Sequence, residues 1–237
     1  MQSERRKTTT AYFSEKTFEF LSQLAENNNK TWWETNKERY VTSIKEPALE
    51  FIADFGARMG EISSHFVADT RVNGGSLMRP YRDMRFAKGA PYKTNIGIQF
   101  RHELGKDVHA PGFYVHLQPG QNFLSAGMWH PETPQAKAIR EAIHARPGLW
   151  AEAAHSPSFD ERWNLAGHED DRLNRVPKEL DTEHPYPDDL RLRSFSAGRK
   201  ITQREVTSAT FLDEVLKSFK EVGPFTRFLC DAIGVPF

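Results

Sequence analysis

The chain has a single cysteine among its 237 residues, Cys230, so no intramolecular disulfide can form, which fits a reducing compartment. It also has no net charge, because 32 Lys and Arg are balanced by 32 Asp and Glu. A molecule without a monopole does not draw a phosphate polymer from a distance, so nucleic acid is disfavoured as a partner and any attraction for an anion must be local. No apolar run approaches the ~18 residues that a membrane helix requires, and MQSERRKTTTAYF carries charge with no apolar segment behind it. A soluble cytoplasmic protein is expected, with no membrane partner. Repeats and low-complexity tracts are missing too. Gly74 and Gly75 do not lead into a helix start with Lys-Ser or Lys-Thr, which excludes a P-loop, and no serine is framed by glycines as a nucleophile.

What is present is enough for a core. A chain of this length buries roughly 70 to 75% of the surface its unfolded form exposes, without help from metal or disulfide. A tail over residues 1–12 and a single α+β domain over 13–237 are expected. Ser14 caps a first helix in which Phe18, Leu21, Leu24 and Ala25 recur at helical spacing, with Phe13 placed as a hydrophobic staple on Phe18. NNNK breaks it, and Thr31 with Glu34 reads as the capping box of a second helix whose apolar face runs from Trp33 through Tyr40, Ile44, Phe51 and Phe55; Pro47 bends or restarts it. The period then changes to two in NIGIQFRHE, GFYVHLQ and NFLSAGMW, joined by turn-forming LGKDVHAPG and LQPGQN. That pattern predicts an antiparallel β-meander with one apolar face, the other carrying Gln99, Arg101, Tyr114, His116, Ser125 and Trp129. Helical period returns after Pro131, an irregular segment follows from about Ser156 to Ile201, and two helices close the chain from about Ser208. The fold class is therefore α+β, a central antiparallel β-meander flanked by N-terminal and C-terminal helices.

The densest chemistry lies in RPYRDMRFAKGAPYKTN. Arg79, Arg82, Arg85, Lys88 and Lys93 fall in one short window with only Asp83 to offset them, and Tyr81, Phe86 and Tyr92 lie between. Several cations held close together repel one another unless something negative joins them. A guanidinium fork suits phosphate or carboxylate, and tyrosines supply rings to position a ligand. The expected site is thus one for a small anionic ligand, bound by Arg79, Arg82, Arg85, Lys88, Tyr92, Lys93 and Tyr114, with Asp83 or His116 as the group that moves a proton. Two rivals stay open: acids from elsewhere in the fold neutralise the cations in a structural or protein-interaction module, or single-stranded nucleic acid stacks on the aromatic rings. His102, His109 and His116 recur every seventh residue, but on strands and a loop that spacing aims them apart, and no metal site is expected. Trp33 belongs to the core stripe. Asn36, Lys37 and Tyr40, one turn further on, lie beside the basic window if their helix covers the sheet edge. The residues name no cofactor and no oligomeric state.

NNNKTWWETNKERY, YRDMRFAKGAPYKTN, GFYVHLQPG, AGMWHP and IREAI, in that order, resemble the conserved hypothetical family known as domain of unknown function 2461, from about Phe13 to Phe228. The resemblance implies a single-domain cytosolic protein and no activity. Its pattern falls on Asn28, Trp32, Asn36, Lys37, Tyr40, Arg82, Asp83, Arg85, Phe86, Pro91, Tyr92, Lys93, Thr94, Tyr114, Pro119, Gly127 and Pro131. Two departures accompany it. Gly89 and Ala90 stand where relatives carry an Asp-Lys pair, and the stretch from Leu173 to Glu179 lacks a lysine and a glycine of the family pattern, so that loop is left out of the expected site.

Overall fold

The computed structural model describes residues 11–83, 89–105, 109–166, 171–180 and 182–237. Arg85, Phe86 and Lys88 of the basic window lie outside them, as do residues 1–10 of the expected tail. Tyr12, assigned to that tail, is instead tied to the domain: its ring meets Phe51 edge-on at 5.5 Å and its hydroxyl donates to Asp54 at 2.5 Å.

Helix α1 (Glu15–Glu26) starts at Ser14, where the Thr17 side chain returns a hydrogen bond to the cap backbone, and it buries Phe18, Phe20, Leu21 and Leu24. Phe13 is fully buried against Phe51 and Phe211. Helix α2 (Lys30–Tyr40) is capped by Asn29, whose side chain accepts from the Trp32 amide, so it begins before the expected Thr31. A short polar side chain that satisfies an orphan amide starts a helix as well as it breaks one, and only the first half of NNNK acts as a breaker. Proline shapes the next turn. Residues Val41–Lys45 widen into a π-helical turn, and α3 (Glu46–Gly56) restarts with Pro47 in its first turn. Pro47 has no N–H for the Ser43 carbonyl, and the Thr17 hydroxyl donates to that carbonyl at 2.9 Å instead, fastening α1 to the bend.

Among the described residues six strands form one antiparallel sheet in the order β1-β2-β3-β4-β6-β5: β1 (Phe66–Val67), β2 (Ile96–His102), β3 (Gly112–Leu117), β4 (Asn122–Met128), β5 (Asn164–Ala166) and β6 (Phe195–Ile201). The meander of β2, β3 and β4 follows the alternation in the sequence. Its last turn is Gln118–Gln121, with Pro119 second and Gly120 third at φ 74, closed by Gln121 N–H donating to the Gln118 carbonyl at 2.9 Å. On one face Ile98, Phe100, Phe113, Val115, Leu117, Leu124 and Met128 are buried under helices. Phe55 of α3 stacks on Phe100 at 4.5 Å, and Phe219 of α8 (Phe211–Glu221) meets Phe113 at 4.8 Å. Helices α4 (Thr133–Ala145), α5 (Pro147–Ala154) and α9 (Gly223–Ala232) pack at the other end of this layer. Cys230 of α9 is completely buried.

The expected irregular stretch from 156 to 201 is corrected. It holds α6 (Pro157–Arg162), β5 and β6, and β6 is an interior strand paired with both β4 and β5. Its alternation is disguised by Arg199, which stands opposite Leu124 on the helix-covered face. The guanidinium is accommodated there because it donates to the Ser218 hydroxyl of α8 and lies 3.5 Å from Glu205. A short helix α7 (Gln203–Val206) follows before α8. No helix among the described residues is long and apolar enough to cross a membrane.

Candidate functional site

The described residues of the basic window, with those just before it, form an arm that extends the edge of β2. Met78 N–H donates to the Gly97 carbonyl and Gln99 N–H to the Ser76 carbonyl, both at 2.9 Å; farther out, Lys93 N–H donates to Pro80 at 2.6 Å and Arg82 N–H to Pro91 at 2.9 Å. Pro80 and Pro91 lack an N–H and sit where only their carbonyls are needed, as prolines do at a sheet edge. The Asn28 side chain holds the arm down: its amide donates to the Tyr92 carbonyl at 2.9 Å and its carbonyl accepts from the Tyr92 amide at 3.0 Å. The Tyr92 ring, expected to face a ligand, is 5% exposed and stacks on Trp33 at 4.3 Å with 12° between the planes. Burial pushes its phenol above the ordinary tyrosine value, with Tyr81 and Glu34 adding to the shift. Tyr92 therefore anchors the window, and Tyr81, half exposed, is the ring it presents to solvent.

Arg79 and Arg82 are exposed and Lys93 is half-buried. Burial lowers the Lys93 ammonium below the usual lysine range, and the positive charges of Arg79 and then Arg82 lower it further. Among the described residues none of these three forms an ion pair. Cations elsewhere do: Lys220 reaches Glu61 at 2.7 Å, Arg191 reaches Asp188 at 2.9 Å, and Arg162 pairs with Glu221. Asp83 is exposed at the end of the arm. Tyr40 does lie beside the window, the placement expected if its helix covers the sheet edge, with its ring 4.9 Å from Trp33 and its phenol pushed up to about 12 by burial and by Tyr81. Asn36 and Lys37 turn elsewhere: Asn36 donates to the Trp32 carbonyl and accepts from Arg39, and Lys37 lies 4.0 Å from Glu34.

The second feature is the sheet face opposite the helices, a depression of about 1570 Å³ lined by Gln99, Tyr114, His116, Phe123, Ser125 and Trp129 among others. Tyr114 donates from its hydroxyl to His116 Nδ1 at 3.2 Å, which leaves His116 Nε2–H to donate to Gln118 Oε1 at 3.1 Å. Burial lowers the His116 pKa, with the Gln118 bond opposing, and burial pushes the Tyr114 phenol up to about 12. Both are neutral at pH 7. Gly97 makes room for this pair, since a Cβ there would stand 2.7 Å from the Tyr114 hydroxyl. The Phe123 ring stacks on His116 at 4.5 Å.

Asn95 joins the two features. Its side-chain nitrogen is 3.5 Å from His116 Nδ1, and with Lys93, Tyr40 and Trp33 it lines a crevice of about 10 Å³ at the root of the arm. The structure thus brings Arg79, Arg82 and Lys93 together beside Tyr81, and links them through Asn95 to Tyr114 and His116. Asn95 and Phe123 carry no signal in the sequence, because each acquires its role from a neighbour across the sheet, while Gln118 follows His116 by two residues on the same side of the chain. The other two histidines of the seven-residue series sit apart. His102 is buried on the helix side and donates from Nε2 to the Pro236 carbonyl at 2.8 Å; His109 donates to the backbone carbonyls of Trp129 and His130.

The profile of the family described as "Conserved hypothetical protein (DUF2461)" matches residues 16–228. No curated protein and no solved structure matches the chain.

Proposed function

The chain belongs to the DUF2461 family of conserved hypothetical proteins, and since that description assigns no activity, we propose from the site itself that the protein binds a small ligand bearing a phosphate or carboxylate. Arg79, Arg82 and Lys93 hold the anion, with Arg85 and Lys88 of the same segment expected to contribute, and Tyr81 offers a ring beside it. The carrying observation is that Arg79, Arg82 and Lys93 lie within electrostatic reach of one another, Lys93 half-buried, and that none of these three has a carboxylate partner among the described residues. Like charges in that arrangement raise the free energy of the empty site, and an anion removes the penalty while making charge-assisted hydrogen bonds. Asp83 and the Tyr114–His116 pair are the groups assigned to move a proton. A ligand whose anion sits on the arm extends toward the open sheet face past Met78, which lines both the crevice and the depression, and past Asn95, which reaches His116.

The test is a thermal-shift series with inorganic phosphate, sugar phosphates, nucleotides and dicarboxylates. At a hundred times its Kd a ligand stabilises by about 2.7 kcal/mol, which for a chain of this size is a rise of roughly 5 to 10 °C. Arg82→Ala should melt close to the parent protein and lose that rise. A panel that moves the parent by nothing counts against the reading. An Arg82→Ala protein that melts markedly lower with no ligand effect in the parent assigns the arginine to packing instead. Binding of an oligonucleotide that weakens steeply with salt would favour the polymer reading.

A further inference from the structure

Lys93 differs from a lysine that merely adds charge to an anion site. Its backbone is fixed by the bond to Pro80 and, one residue earlier, by the Asn28 clamp on Tyr92. Its side chain is half-buried and within electrostatic reach of Arg79 and Arg82, whereas Lys37, Lys137 and Lys220 each lie near a glutamate. It lines the crevice that also holds Trp33 and Tyr40. Trp33 is 1% exposed, and its Nε1–H has no hydrogen-bond partner among the described residues. Buried donors are paired as a rule, so an unpaired one in a crevice is an opening for an oxygen atom. The crevice has room for about one water molecule.

We infer that Lys93 forms an imine with a carbonyl compound that carries a carboxylate or phosphate, such as a 2-oxo acid or a phosphorylated aldehyde. The inference rests on the anion site proposed above. Arg79 and Arg82 hold the anion and so bring the carbonyl carbon to the amine. Burial and two neighbouring cations both favour the neutral amine, the form that attacks. Its lone pair adds to the carbonyl carbon, forming the C–N bond, and the proton lost from nitrogen ends on the former carbonyl oxygen. The C–O bond then breaks, the hydroxyl leaves with the second nitrogen proton as water, and C=N remains. One water is released and nothing is oxidised. The Tyr40 hydroxyl, which stays protonated, and Trp33 Nε1–H belong to residues that line the same crevice as Lys93 and are the donors the proposal assigns to this oxygen.

Borohydride trapping on the full-length protein tests it, with limiting pyridoxal 5′-phosphate as the anionic aldehyde and pyridoxal as its phosphate-free control, followed by peptide mass spectrometry. The adduct should concentrate on Lys93, exceed the pyridoxal adduct there by about ten-fold or more, and fall to the pyridoxal level in the Arg79→Ala/Arg82→Ala protein. Glyoxylate with borohydride should label the same residue. Adducts spread over exposed lysines with Lys93 no higher, or labelling of Lys93 indifferent to the phosphate, overturn the inference. The key measurement is made in the parent protein, so a variant that fails to fold does not spoil it. If inorganic phosphate stabilises the protein while Lys93 stays unlabelled, the imine is refuted and the anion site stands; if phosphate has no effect and Lys93 stays unlabelled, both fall.

Discussion

Replacing Asn28 by alanine removes both hydrogen bonds that pin Tyr92, and with them the tie between the α1–α2 turn and the basic arm. The arm is an edge segment whose own register rests on few backbone bonds, so this clamp and the Trp33 stack bear most of its placement. Two bonds of this kind contribute about 1 kcal/mol each, and leaving the partly buried Tyr92 amide and carbonyl unpaired adds to the cost, so Asn28→Ala should lose about 2 to 3 kcal/mol. For a chain of this size that is a fall in Tm of roughly 4 to 12 °C. Asn28→Asp is the informative companion. It keeps the acceptor for the Tyr92 amide but sets a carboxylate oxygen against the Tyr92 carbonyl, and so should be at least as damaging despite its similar shape. Differential scanning calorimetry of the three proteins, with and without phosphate, gives the answer. A melting temperature for Asn28→Ala within about 1 °C of the parent would show that the clamp carries no weight and that the arm is placed by something else.

Three further outcomes follow from particular contacts. Cys230 is fully buried and its thiol is pushed up to about 12 by burial, with Asp231 adding, so a thiol reagent at pH 8 should leave it intact in the native protein and titrate one thiol after denaturation; prompt native reaction contradicts the packing. His116 has its pKa lowered by burial: above about pH 6.5 folded and unfolded chains are both neutral there, and below it the unfolded chain takes a proton that the folded one resists. Its share of stability is therefore lost as pH falls from about 6.5 through the folded value. His116→Gln should then show a shallower fall in Tm between pH 8 and 5.5 than the parent, and parallel curves would refute the assignment. Asp189 accepts from Trp150 Nε1 at 2.7 Å and from His155 Nε2 at 2.6 Å, in a site where Trp150 is fully buried. Asp189→Ala strands the indole N–H and should cost about 2 to 4 kcal/mol in urea unfolding, and Asp189→Asn, which keeps an acceptor, clearly less; equal losses would deny the hydrogen bonds a role.

Elements whose evidence is local could be read from the chain alone. The three-and-four spacing of Phe18, Leu21 and Leu24, the alternation through Ile96, Ile98 and Phe100, Pro119-Gly120 in a tight turn and Pro47 at a helix restart each follow from the chain's own period or dihedral preference, and each appears where it was legible. The faces of the meander followed as well, since parity along a strand decides which side chains share a side: Tyr114 and His116 stand on the open face and His102 on the covered one. The clustering of positive side chains in the window was equally plain. Partnership, by contrast, waited on the folded molecule. Arg199 disguised the inward face of β6 because the serine that receives it lies on a helix nineteen residues away. Tyr92 passed for a ligand-facing ring until Trp33 covered it, and Asn28 gave no sign that it would clasp a backbone 64 residues further on. Whether a lysine meets a carboxylate or two arginines depends on which segments the fold lays side by side. Hydrophobic period is written residue by residue, but charge compensation and burial are properties of the assembled surface, and no local pattern encodes them.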